Sequence, residues 1–121
     1  MPRDLARHRA LPSVPHPKAR PWPAGHVLTP FQRAVVDVVA ALPPGDLVTF
    51  GEVGELAGRE MGGQAVANVL RGRPELPWWR VLPAGGRLYG DLAAVQAPLL
   101  RAEGHHVDEH RRVHPAREAG A

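Results

Sequence analysis

The chain has 121 residues, a formal charge of +3 and no cysteine. That length accommodates one domain, and the missing thiols exclude disulfides, thiolate metal sites and a cysteine nucleophile. No run approaches the ~18 apolar residues of a membrane helix, and the basic N-terminus leads into no apolar stretch, so a cytoplasmic protein without membrane contact is expected.

Residues 1–28 carry six prolines, and five basic residues against Asp4 alone. This composition, without helical or strand periodicity, predicts a disordered basic arm, which could add nonspecific phosphate contacts. The remainder of the chain is net −1, so the basic balance resides in this arm. All basic side chains except Lys18 are arginines, which suits phosphate and base-edge contacts but is also what a GC-rich genome produces.

Order is expected from Thr29. Thr29-Pro30-Phe31-Gln32 reads as a capping box with proline at the first helical position. Phe31, Ala34, Val35, Val38, Val39 and Leu42 then form one apolar stripe, until Pro43-Pro44-Gly45 ends the helix. A second box, Thr49-Phe50-Gly51-Glu52, opens a short helix closed by Gly58. GGQAVANVLR predicts a third helix, from Gly62 or Gly63 to Arg71, with Val66, Val69 and Leu70 inward. Two short helices joined by a tight Gly58–Met61 turn make a helix-turn-helix.

Beyond Pro77, VLPAGGRLY alternates around Gly85-Gly86 and reads as a hairpin wing. LAAVQAPLLRAEG follows as an amphipathic helix, in which Pro98 belongs to the first turn or kinks the helix. Residues 105–121 read as a polar, poorly ordered tail. The expected architecture is therefore mainly α, a winged helix-turn-helix at residues 29–104 in which a small helical bundle carries a short β-hairpin.

Three features carry candidate chemistry. His106, His110 and His114 would align on one helix face, but Gly104 and Pro115 argue for a solvated tail, so no metal site is assigned. Asp91 and Glu103 could form a carboxylate pair, yet no nucleophile accompanies them and the only serine, Ser13, lies in the arm, so no catalytic residue is assigned. The third helix has an outer face of small residues, Gly62, Gly63, Ala65 and Ala67, interspersed with Gln64, Asn68, Arg71 and Arg73. Such a face fits either tight packing on a neighbour or close approach to a nucleic-acid backbone. The helix-turn-helix context favours the second, with Gln and Asn at base edges and Arg on phosphates.

Trp78 and Trp79 are adjacent, in PWWRV. In an extended segment neighbouring side chains point to opposite sides, so one indole should face a cleft, where beside Arg80 it can stack on a nucleobase. Trp78 is expected in that wall and Trp79 beneath the segment.

From about Phe31 to Gly104 the chain resembles the alkyltransferase-like proteins, relatives of the DNA-binding domain of O6-alkylguanine-DNA alkyltransferase. The resemblance rests on FQRAVVDVVAALPPGDLVTFGEV, Ala57-Gly58, GGQAVANVLRGRP, PWWRV, Gly85-Gly86 and LLRAEG. It implies that Trp78 and Trp79 stand at the positions of the alkyltransferases' nucleophilic cysteine and its histidine base, and that Glu103 matches the glutamate of their relay. It also aligns Gln64 with the intercalating arginine finger and Phe50 with a tyrosine on the flipped nucleotide's 3′ phosphate. Arg73 aligns with an asparagine lining the site, and Arg87 with a base-sensing arginine. The implied function is binding of duplex DNA through the minor groove, with O6-alkylguanine flipped into a pocket of Phe50, Trp78, Trp79, Arg80, Arg87 and Glu103. The protein would act as a monomer without cofactor and flag the lesion for nucleotide excision repair. The alternative is a winged-helix regulator, or a general DNA-binding protein without lesion preference.

Overall fold

Thr29 and Thr49 start two helices in the same way. In the computed structural model, which describes residues 14–116, the Thr29 hydroxyl accepts the Gln32 N–H at 3.1 Å, and the Gln32 side chain accepts the Thr29 N–H at 3.0 Å. Thr49 and Glu52 repeat the exchange at 3.1 and 2.7 Å. Each cap stabilises its helix by about 1 kcal/mol. The first box opens α1, Pro30–Ala40, and the second opens α2, Phe50–Leu56. Gly58 turns the chain at φ +94°, and α3 follows at Gly63–Gly72.

Helices α2 and α3 form the helix-turn-helix, and they approach closely because glycine faces glycine. A Cβ on Gly54 would lie 3.2 Å from backbone atoms of both Arg59 and Gly62. Val53 of α2 and Val66, Val69 and Leu70 of α3 then bury against Val35 and Val39 of α1. α4, Gly90–Ala102, closes the core with Ala93, Ala97 and Leu100. It runs through Pro98, which therefore sits well beyond the first turn. Pro98 and Ala94 are both exposed, so water can reach the Ala94 carbonyl that loses its helical donor.

The sheet structure differs from the expected wing. Val48–Thr49 (β1) pairs in parallel with Val81–Leu82 (β2), Val48 opposite Val81 and Thr49 opposite Leu82. The segment after Gly85-Gly86 does not return onto β2. Arg87 instead bridges to Arg112, and the Leu88 N–H donates to the Arg111 carbonyl at 2.9 Å. The hairpin lies in the stretch expected to be a loose tail, where His106–Val107 (β3) pairs antiparallel with Val113–His114 (β4). Val107 and Val113, opposite each other, are both buried. The turn is held by Asp108, whose carboxylate accepts the His110 and Arg112 N–H groups at 2.8 and 3.0 Å and pairs with His114 at 2.9 Å. The His114 hydrogen bond, with those backbone donors, holds the Asp108 carboxyl well below its ordinary range. Accordingly His106 and His114 face each other across strands, with His110 in the turn, and no helix aligns the three.

The proline-rich arm is also corrected. Residues 1–13 and 117–121 lie outside the described residues, but residues 14–28 are laid along the end of α3. The N–H groups of His16, Arg20 and Trp22 donate to the carbonyls of Pro74, Arg71 and Gly72 at 3.1, 2.8 and 3.1 Å. Prolines at 15, 17, 21 and 23 leave donors at 16, 20 and 22, so the segment can satisfy these carbonyls without helical or strand periodicity. Trp22 lies against Gly72 and stacks on His26 at 4.4 Å. A Cβ at Gly72 would overlap the Trp22 indole. Gly72→Ala should therefore cost ~1–3 kcal/mol through overpacking and loosen residues 14–28. A lower melting temperature, with faster proteolysis confined to that segment, is the expected reading, and an unchanged cleavage pattern would contradict the docking.

Candidate nucleic-acid interface

The parallel pairing of β1 with β2 sets two aromatic residues around one cavity. Phe50 is the first residue of α2, immediately after β1, and Trp78 lies three residues before β2. Both line a cavity of about 570 Å³, within the range of small-molecule sites. Gly63, Gln64, Ala67, Leu70 and Arg71 of α3 line it as well, and Val81, Pro83, Leu92 and Gln96 complete the lining. Helix α3 can approach closely here because Gly63 has no side chain, so its Cβ position is only 3.4 Å from the Phe50 Cβ.

Both tryptophans are buried, Trp78 to 2% exposure and Trp79 to 4%. This overturns the expectation that only one could enter the core. The segment is not extended: Trp78–Arg80 is one turn of 3-10 helix, with the Arg80 N–H donating to Pro77 at 3.2 Å. At three residues per turn successive side chains diverge by ~120°, so each indole finds its own buried environment. Trp78 faces the cavity, and its Nε1–H donates to the Val14 carbonyl at 2.9 Å. Trp79 turns away, at 89° to Trp78, and donates to the Glu103 carboxylate at 2.8 Å.

Glu103 is the hub behind the cavity. Its side chain and that of Arg80 are 8% and 7% exposed and pair at 2.6 Å. Arg80 also donates through Nε at 3.0 Å to each carboxylate oxygen and through Nη1 to the Leu42 carbonyl at 2.8 Å. The Gly45 N–H adds a fourth donor to Glu103 at 2.9 Å. Burial acts to raise the Glu103 pKa, but Arg80, the Gly45 N–H and the Trp79 N–H outweigh it and hold the carboxyl below its ordinary value. Gln96 of α4 braces the same turn, donating to the carbonyls of Trp79 and Val81 at 3.1 and 3.3 Å.

Of the six residues expected in a base pocket, Phe50 and Trp78 line the cavity. Trp79, Arg80 and Glu103 form the buried brace behind Trp78, because the 3-10 turn rotates Trp79 and Arg80 away from the cavity and onto Glu103 at the end of α4. Arg87 is exposed, bridged to Arg112, and does not line the cavity. Of the seven expected on the docking face, Gly63, Gln64, Ala67 and Arg71 line the cavity. Exposed Asn68 accepts from Gln64 at 3.4 Å and from the Arg71 guanidinium. Gly62 is the buried start of α3, and Arg73 caps its end, paired with Glu75 at 2.7 Å. The four arginines between Gly62 and Gly90 thus do not form one patch, since Arg80 and Arg73 are spent on carboxylates.

Sequence reasoning missed His16, Lys18, Tyr89 and Gln96, all of which line the cavity; Asp91, weighed there as a carboxylate partner of Glu103, lines it too, whereas Glu103 does not. Gln96 was visible as the one polar residue within an otherwise apolar stretch, LAAVQAPLL. Nothing in a proline-rich stretch marked His16 or Lys18.

The family described as "6-O-methylguanine DNA methyltransferase, DNA binding domain" matches residues 30–105. An Escherichia coli protein named "DNA base-flipping protein" is 39% identical over 79 residues, covering 61% of each chain. The chain thus spans about three fifths of that relative's length. A Vibrio parahaemolyticus protein of the same name is 35% identical over 84 residues, 65% of this chain and 84% of that one. Among solved structures, S. pombe Atl1 in complex with damaged DNA containing O6-carboxymethylguanine superposes with a TM-score of 0.59 at 21% identity. That superposition covers 73% of this chain and 90% of Atl1, and it supports the helix-turn-helix fold. The Mycobacterium tuberculosis O6-methylguanine methyltransferase gives a TM-score of 0.54 at 27% identity, over 64% of this chain and half of its own. With this fold, this match and no cysteine in its sequence, the chain belongs to the 6-O-methylguanine DNA methyltransferase DNA-binding-domain family as an alkyltransferase-like protein.

Proposed function

We propose that this protein recognises O6-alkylguanine in duplex DNA without chemistry, by drawing the base into the cavity between Phe50 and Trp78. The observation that carries this reading is an aromatic-walled cavity of about 570 Å³ that opens beside the exposed face of α3. A helix bearing Gly63 and Ala67 can lie close to the sugar–phosphate backbone in the minor groove, and an extruded base would then reach the cavity beside it. Alkylation at O6 weakens pairing with cytosine, so extruding that base costs less than extruding guanine. Without a thiol no alkyl group can be taken up by a cysteine, and the bound lesion serves as a flag for nucleotide excision repair. The names of the E. coli and Vibrio relatives agree with base flipping.

The test compares binding to matched duplexes holding guanine, O6-methylguanine and a bulkier O6-alkylguanine at one position. Tighter binding of both alkylated duplexes is expected. Protection of one undamaged sequence, with no lesion preference, would instead indicate a winged-helix regulator.

Two residues separate docking from flipping. Arg71, on the cavity rim, should hold a phosphate. Arg71→Ala should then weaken all duplexes alike and lower the slope of log affinity against log salt by about one unit. Gln64, about two turns earlier on the same helix, should fill the vacated stack. Gln64→Ala should reduce lesion selectivity more than general affinity, and equal loss on every duplex would remove it from that role.

A further inference from the structure

The matched family span begins at residue 30, yet part of the cavity wall comes from residues that precede it. His16 and Lys18 line the cavity. His16 is 8% exposed, and its ring lies 4.9 Å from the Trp78 ring, tilted by 49°. Trp78 in turn donates to Val14, so the segment and the indole hold each other in place. Lys18 reaches towards the N-terminal turn of α4, its Nζ 4.0 Å from the Asp91 carboxylate.

The His16 tautomer follows from its neighbour. Nδ1 accepts the Lys18 N–H at 3.0 Å, so the proton of the neutral ring is on Nε2. Burial, reinforced by Arg71 and Lys18, pushes the His16 pKa below its ordinary value, which keeps the ring neutral at neutral pH. Nε2–H forms no hydrogen bond among the described residues and is the donor this ring can offer the cavity. Gln96 offers the converse. Its amide nitrogen is committed to two carbonyls, while its Oε1 accepts nothing among the described residues. Gln96 is 2% exposed and lines the same cavity.

We infer that residues 14–18 complete the base pocket and that His16 is a specificity-determining residue, reading alkylated against unmodified guanine with Gln96 as its complement. The chemistry lies at N1 of the base. Guanine carries a proton on N1, so a donor facing it is repelled and left unsatisfied. Alkylation at O6 removes that proton and makes N1 an acceptor, while the 2-amino group stays a donor. A donor from His16 Nε2 and an acceptor from Gln96 Oε1 match the alkylated edge and mismatch the normal one. Leaving a buried donor unpaired is disfavoured more strongly than a lost contact alone. This inference rests on the base-pocket reading above.

The experiment uses the full-length chain and duplexes holding guanine or O6-methylguanine at one position. His16→Phe keeps a ring beside Trp78 and removes the donor, and His16→Gln keeps a donor. His16→Phe should lose about tenfold in affinity for the O6-methylguanine duplex, with the guanine duplex changed less than about twofold. His16→Gln should recover most of the loss. Should the wild type fail to discriminate the two duplexes, the base-pocket reading fails and this inference with it. Where the wild type discriminates and His16→Phe discriminates equally, the assignment of His16 alone is overturned. In case His16→Phe does not fold, the wild-type His16 imidazole 15N signals decide. The Nε2 signal should shift with the O6-methylguanine duplex and not with the guanine duplex, and an unmoved signal overturns the assignment.

Discussion

Trp78→Ala is expected to abolish the preference for O6-methylguanine duplex while leaving nonspecific DNA binding. Base–aromatic stacking contributes roughly 1–3 kcal/mol per base, a loss of about 5- to 150-fold at the lesion alone. Trp78 is 2% exposed and belongs to the core as well as to the cavity, so its removal also costs stability, ~3–5 kcal/mol for a buried aromatic. Trp78→Phe separates the two effects. It keeps a stacking face and most of the packing, and loses only the Nε1–H bond to Val14. Selectivity should survive largely in Trp78→Phe and vanish in Trp78→Ala, each measured below its own melting temperature. In a Trp22→Phe background, emission reports only on Trp78 and Trp79. The O6-methylguanine duplex should then change it far more than the guanine duplex, and Trp79→Ala should chiefly lower the melting temperature. If Trp78→Ala retains full lesion selectivity, the indole is structural and the cavity is not the base pocket.

Glu103→Ala should rank with Trp78→Ala among the most destabilising single changes in the domain. The carboxylate accepts from Arg80, Trp79 and Gly45, and so ties the end of α4 to the 3-10 turn and to the loop after α1. Its removal leaves the Arg80 guanidinium buried without a counter-charge, at a cost of about 3–5 kcal/mol. That is a large share of the ~5–15 kcal/mol that holds a domain together. Arg80→Met should cost a similar amount by stranding Glu103. The double variant Arg80→Met/Glu103→Leu should be less destabilised than either single variant, because it strands no charge. Strict additivity in chemical denaturation would show that the pair is not coupled. The pH dependence carries the same signature. The Glu103 pKa is depressed on folding, so its contribution is complete above the ordinary carboxylate value near 4.5 and is lost as pH falls through the lower folded value. Acid unfolding of the wild type should therefore steepen below that ordinary value, and in Glu103→Gln that component should be missing.

The resemblance to the alkyltransferases implies that Glu103 matches the glutamate of their relay and Trp79 their histidine. Here the Trp79 indole N–H occupies the donor role at 2.8 Å from Glu103. An indole cannot accept a proton as a base does. A hydrogen bond that braces a turn is useful for folding whatever chemistry is done beside it.

What the sequence determined by itself is local. Both capping boxes, the glycine stop at 58 and the apolar stripes of α1 and α3 are encoded within four or five residues of one another, so α1 to α3 were legible within a residue or two. The small, polar outer face of α3 was readable for the same reason, since helical period alone decides which residues share a face. Only tertiary structure decided the rest, because it depends on partners distant in sequence. The course of PWWRV as a 3-10 turn is set by the Glu103 carboxylate, more than twenty residues away, and by the parallel pairing of β2 with β1, and that course sends Trp78 to the cavity and Trp79 and Arg80 behind it. The two-residue strands β3 and β4 form because Val107 and Val113 bury together, a pairing too short to leave periodicity. Residues 14–28 follow no internal pattern, since their order comes from the carbonyls of Arg71, Gly72 and Pro74 and from the space that Gly72 leaves for Trp22. A segment whose backbone donors and ring are satisfied wholly by another element carries no signal of its own, and that is why the wall holding His16 was invisible until the chain was folded.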